Sequence, residues 1–196
     1  MVIKLKNFHY IESKKKKWRK VVRFNYQFLY TGNLSFVTNL INDFKLEYSN
    51  SIDHSKLRKY LLAKNKNSSL IFFSEKLFVA FTSFCRDFPI FFKKKKEFFF
   101  ISNDIYKIMN NDYEINRKSL AEFFSCGYVL QDRTLANNIY SLGPAEIIYG
   151  NKESSKLSRY KYFEYHKSLK KKNLSEKEFI HNFDEILDNN FNDLIE

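Results

Sequence analysis

Cys85 and Cys126 are the only cysteines in this sequence of 196 residues. A thiol does chemistry when a base or a positive field draws off its proton, and it binds zinc when other Cys or His ligands stand at fixed spacing. His9, His54, His166 and His181 are scattered and hold no metal-ligand spacing with either thiol. The paired carboxylates Asp184 and Glu185 fall on the polar side of an amphipathic helical pattern, where solvation accounts for them. The chain has four glycines, and neither G-x-x-x-x-G-K-S/T nor G-x-G-x-x-G occurs. Among the basic runs, Lys14 to Lys17 stands beside Trp18 and Arg19. An aromatic ring among lysines can stack on nucleic-acid bases.

Composition sets the frame for these groups. Hydrophobic residues make up 44% of the chain and aromatics 18%, enough for a packed core in one domain of this length. No apolar run reaches the length of a membrane span. The opening MVIKLKNFHYIESKKKKW lacks the apolar segment of a secretory signal. Two thiols in such a chain read as reduced, buried residues of a cytoplasmic protein. The formal charge of +12 and pI near 9.5 suit an anionic partner. Lys, Asn, Ile, Phe and Tyr are all abundant and all have A/T-rich codons, so base composition explains the lysines without a partner.

The elements that must position any site follow from periodicity. Residues 20–30 alternate and are rich in β-branched and aromatic types, which predicts a strand, and Thr31-Gly32-Asn33 predicts a turn. Phe36, Leu40, Ile41 and Phe44 recur at helical spacing. Asp53 can cap a second helix with the apolar face Leu57, Tyr60 and Leu61, and residues 65–69 read as a polar loop. Residues 69–74 and 76–83 predict a hairpin of half-buried strands. Residues 89–92 and 97–101 predict another, turning through Lys93 to Lys96 and sharing the first one's sheet. Between Asn116 and Gly127 a helix has a cap at each end, a staple between Ile115 and Leu120, and a buried face of Leu120, Phe123 and Phe124. Strands follow at 145–149 and 157–165. Ser175 and Glu178 form a capping box, with Leu174 and Phe179 as staple partners. The stripe Phe179, Phe183, Ile186, Leu187, Leu194 and Ile195 follows. This mixture predicts the α+β class.

Three stretches carry a family resemblance: LFVAFTSFCRDFPIFF from Leu77, EFFFISNDIYKIM from Glu97, and LAEFFSCGYVLQDRTLANNIYSLGPAE from Leu120. Their order resembles the class II glutamine amidotransferase domain of glutamine-hydrolysing asparagine synthases and their sugar-cluster relatives, over residues 69–165. The resemblance implies a four-layer α-β-β-α sandwich of the amino-terminal-nucleophile hydrolase type with two antiparallel sheets. It implies three domain segments: 1–166 as the amidotransferase-like domain, 167–173 as a linker, and 174–196 as the first helix of a synthetase domain.

The site residues depart from the family. Its nucleophile is a cysteine at the mature amino terminus, whereas this sequence begins Met1-Val2-Ile3-Lys4. Tyr30-Thr31-Gly32-Asn33-Leu34 stands where the family has its oxyanion loop, with Thr31 in place of Asn. A hydroxyl offers one donor where an amide offers two. Asp53 stands where a glutamine-holding Asp does, the family's Arg segment has no counterpart, and Ala145 replaces a Gly. The expectation is therefore no catalytic residue, a substrate-binding remnant of Thr31, Gly32 and Asp53, and no metal. No cofactor is expected in this chain; ATP and Mg belong to the synthetase domain, whose Ser-Gly-Gly-x-Asp-Ser loop the sequence does not reach. The implied role is a structural or docking partner for a synthetase domain or subunit of the asparagine synthase type. A homo-oligomer is open, no membrane partner is expected, and nucleic acid is the less favoured partner. The alternative is a stand-alone basic module that binds nucleic acid or another polyanion.

Overall fold

A computed structural model describes residues 2–5, 8–11, 17–46, 48–49, 51–65, 67–95, 98–109, 113–151, 157–164 and 175–195. It divides into two compact units, Met1–Glu164 and Tyr165–Glu196. The larger unit holds eleven strands and four helices among the described residues. Its six-stranded sheet runs β11 (Leu157–Lys161), β10 (Glu146–Asn151), β6 (Leu77–Phe81), β5 (Ser69–Ser74), β4 (Tyr26–Thr31) and β3 (Arg19–Val22), all antiparallel. The five-stranded sheet runs β1 (Val2–Leu5), β2 (Phe8–Ile11), β8 (Phe98–Ser102), β7 (Phe91–Lys95) and β9 (Tyr140–Ser141). It is antiparallel except where β2 lies parallel to β8.

Side-chain alternation along the central strands distributes the core. Leu70 and Phe72 join one cluster with Val37, Leu40, Ile41, Leu57 and Leu61 of helices α1 (Leu34–Asp43) and α2 (His54–Lys64). Ile71 and Phe73 point the other way, into a cluster that draws on both sheets: Leu29, Phe78, Ala80 and Ile148 from one, Phe92, Phe99 and Ile101 from the other. Rings stack through it in sequence, Phe73 on Phe78 at 6.1 Å, Phe78 on Phe99 at 5.3 Å, Phe99 on Phe92 at 5.8 Å and Phe92 on Tyr140 at 5.6 Å. A third cluster gathers Ile108, at the end of helix α3 (Ile105–Ile108), with Ala136, Ile139, Phe91 and Phe100.

The structure corrects several expectations. The strand over 20–30 is two strands, broken by a turn in which Arg23 N–H donates to Tyr26 O at 2.8 Å. Strands β5 and β6 are buried along their whole length, not half-buried, because apolar side chains cover both faces. Strands β7 and β8 lie in the five-stranded sheet, not beside β5 and β6. Lys93, Lys94 and Lys95 are strand residues opposite Phe100, Phe99 and Phe98, and Lys96 lies outside the described residues. Both cysteines are exposed, not buried.

Helix α4 (Arg117–Cys126) has the expected caps: Asn116 Oδ1 accepts from Ser119 N–H, and Gly127 takes the left-handed conformation at φ 79°. Its buried residue is Ser119, while Phe123 and Phe124 are 43% and 79% exposed and Ile115 is 54% exposed. Phe123 and Phe124, expected on a buried face, are thus exposed.

The smaller unit is described by helix α5 (Glu176–Ile195). The capping box forms: Ser175 N–H and Oγ–H both donate to Glu178 Oε2 at 2.8 Å, and Glu178 N–H donates back to Ser175 Oγ. Those bonds hold the Glu178 carboxyl below the usual carboxylate range. Phe179 and Phe183 stack at 6.4 Å on an exposed stripe. Leu174 and residues 167–173 lie outside the described residues, as do the side chains of Leu194 and Ile195.

Candidate functional site

Strand β4 delivers Tyr30 and Thr31 to the end of the six-stranded sheet, and the chain turns at Gly32 into helix α1. Thr31 is 1% exposed. Its Oγ1 accepts the Ser69 N–H at 3.2 Å, continuing the ladder between β4 and β5. Gly32 sits at φ +79°, and a Cβ there would stand 2.6 Å from Ser68 Oγ and 2.9 Å from Asn67 O. Asn33 caps α1, its Oδ1 accepting from Phe36 N–H at 3.0 Å, while its own N–H donates to Ser68 Oγ at 3.2 Å.

These bonds open a longer buried network. Asn65 is 2% exposed. Its amide donates to Ser68 O and to the Tyr162 hydroxyl, each at 3.1 Å, and its Oδ1 accepts from Ser68 N–H at 3.0 Å. The Tyr162 hydroxyl in turn donates a hydrogen bond to Thr82 O at 2.7 Å, and burial drives that phenol far above its ordinary range. Ser69 Oγ accepts from Ser83 N–H at 3.1 Å, and Thr82 Oγ1 donates to Gly143 O. Ser83 O accepts from Ala145 N–H at 2.9 Å. Ala145 holds φ 51°, a left-handed conformation that favours glycine. The belt ties the ends of β4, β5, β6 and β10 together, and its hydroxyls bond to the protein itself. Thr31 Oγ1 accepts in this belt and the residue is 1% exposed, so its hydroxyl is not presented to solvent.

Asp53 stands elsewhere. It is exposed and caps α2, with Oδ1 accepting from Lys56 N–H at 3.1 Å. Beside it the His54 imidazole bonds to the Tyr149 hydroxyl and meets the Tyr160 ring edge-on at 5.3 Å. The Tyr160 hydroxyl is buried without a hydrogen-bond partner. Burial pushes it up to about 12, against the pull of the Arg58 charge and with a smaller upward push from Asp53. A third polar group closes the sheet edge. Arg159 grips Glu146 from Nε at 2.7 Å and from Nη2 at 2.8 Å, and reaches Asp132 at 2.6 Å. Its guanidinium also lies 5.1 Å from the Phe92 ring centre. Burial works against its charge, but the two carboxylates outweigh burial and raise its pKa.

Of the expected remnant residues, Thr31 lies in the buried belt, Gly32 is an exposed turn residue beside it, and Asp53 serves a helix end. No group of three His, Cys, Asp or Glu among the described residues could hold a metal. Sequence reasoning missed Asn65, Ser68, Ser83 and Tyr162. A buried polar loop has the same composition as a solvated one, and only the run Ser68-Ser69 leading straight into LIFF hinted that this loop enters the core.

No family model matches the chain, and no curated protein matches it. Among solved structures, a glutamine phosphoribosylpyrophosphate (PRPP) amidotransferase from B. subtilis, complexed with ADP and GMP, matches with a TM-score of 0.31 at 10% identity. The match covers 74% of this chain and 31% of that chain, so this chain spans less than a third of its length.

Proposed function

We propose that the larger unit is a non-catalytic glutamine amidotransferase-like domain, related to asparagine synthases and their sugar-cluster relatives. Its role is to support and dock a synthetase domain or subunit that makes an amide at the expense of ATP. The sequence resemblance over residues 69–165 motivates the family. The cluster shared by two sheets, with α1 and α2 packed on one outer face and α3 on another, agrees with a four-layer α-β-β-α sandwich. The observation that carries the non-catalytic reading is the burial of Thr31, 1% exposed with its Oγ1 turned to the Ser69 N–H. A hydroxyl offers one donor where the family's amide offers two, and at 1% exposure this one lies out of reach of a substrate; losing one oxyanion donor costs on the order of a hundredfold in rate. Docking is supported by the exposed apolar side chains of α4 and its return loop, Phe123, Phe124, Tyr128 and Leu130, in a segment braced by the Arg133–Glu122 ion pair.

The test is glutamine hydrolysis by the purified chain, followed as ammonia and glutamate release. The expected rate is that of the buffer. Hydrolysis that disappears in Cys85→Ala or Cys126→Ala would overturn the reading.

A further inference from the structure

The β3–β4 hairpin is a basic finger with an apolar tip. The hairpin carries Arg19, Lys20 and Arg23, Lys17 stands just before it, and no acidic residue occurs from Lys17 to Asn42. At the tip Phe24 is 103% exposed and its neighbour Val22 is 64% exposed. A phenyl ring fully in water does nothing for the fold. Beside it runs a groove of about 190 Å³ lined by Phe24, Tyr26 and Phe73 together with Asn25, Gln27 and Glu75. Trp18 is not the stacking platform its sequence neighbours suggest: it is half-buried, packed edge-on to Phe88 at 6.5 Å.

We infer that this hairpin binds single-stranded nucleic acid. Arg19 and Arg23 neutralise backbone phosphates, Phe24 stacks on a base, and the amides and carboxylate along the groove face the base edges. Charge complementarity selects a polyanion. The exposed ring beside a polar-rimmed groove selects one with flat bases, because every base has a stackable face. A lipid surface is the weaker fit, since one ring and one valine offer little apolar area and a groove edged by amides has no use there. This inference stands apart from the amidotransferase reading and rests on the hairpin alone.

Fluorescence anisotropy of a labelled 12-nucleotide oligothymidylate, titrated with the full chain across a salt series, tests it. Binding should weaken with salt at about 0.7 log units of affinity per log unit of salt for each phosphate neutralised. Phe24→Ala should lower affinity about tenfold at fixed salt and leave that slope unchanged, while Phe24→Trp should keep the affinity. Arg19→Gln with Arg23→Gln should flatten the slope by about 1.4. No binding, or binding indifferent to salt, overturns the inference. So does heparin binding as tight as the oligonucleotide together with an indifferent Phe24→Ala. Capture by phosphatidylserine vesicles without oligonucleotide binding overturns it in favour of a membrane surface.

Discussion

Around Thr31, hydroxyls and an amide are buried; around α4, phenyl rings stand in water. Thr31, Asn65, Ser68, Ser69 and Ser83 are each at most 3% exposed, while Ile115, Phe123, Phe124 and Tyr128 are each at least 43% exposed. Both regions invert the usual partition, but they differ in whether the chain itself answers for it. Each of the buried polar groups has at least one hydrogen-bond partner within the chain itself. The exposed rings find no covering within the described residues. One region satisfies its polar groups inside the fold, and the other leaves apolar side chains in solvent.

The sharpest way to break that contrast is at Gly32. Gly32→Ala forces a side chain into a left-handed backbone and against Asn67 O, and should cost at least about 3 kcal/mol, measured by urea denaturation. Near-neutral behaviour would mean the belt is loose enough to open. Asn65→Ala strips its bonds to Ser68 and Tyr162 and should cost about 2–3 kcal/mol.

Tyr160→Phe should act in the opposite direction and stabilise by about 1 kcal/mol, because it removes a buried hydroxyl that has no partner. The alkaline arm gives a second readout. Tyr160's phenol is raised in the folded state, so its contribution is whole below the ordinary phenol value near 10 and is lost as pH rises toward 12. Tyr160→Phe should remove that part of the loss of stability on alkaline titration. The smallest stability effect belongs to the open face: Phe124→Ser should change stability by no more than about 0.5 kcal/mol. On the proposed docking role it should nevertheless weaken association with a synthetase subunit of the asparagine synthase type, read by calorimetry. A large stability loss there would show that the face is packed after all.

Local signals were legible in the sequence wherever one residue type has one structural use. Asn116, Asp53 and Gly127 mark helix ends because capping chemistry is local, and the Ser175–Glu178 box reads the same way. The turn at Arg23 to Asn25 was not legible, having neither Gly nor Pro to announce it. Strand residues Lys93 to Lys95 resemble a turn by charge, and only their Phe partners on β8 assign them to a strand. Burial was the least legible property. Phe124 and Phe99 are alike in sequence, one 79% exposed and the other 4%, because exposure depends on what the rest of the chain brings up against each ring. The site remnant followed the same rule: Thr31 and Gly32 were marked by their place beside a turn, but Tyr162, 97 residues from Asn65, could join them only through the fold.

Cys126 is the last residue of α4, within a turn of Phe123 and Phe124, and its thiol is exposed. The molecule thus carries its own footprinting probe for the open face. Alkylation by a small maleimide should slow at Cys126 when a partner covers α4, while Cys85, in a separate loop, supplies an internal reference within the same chain.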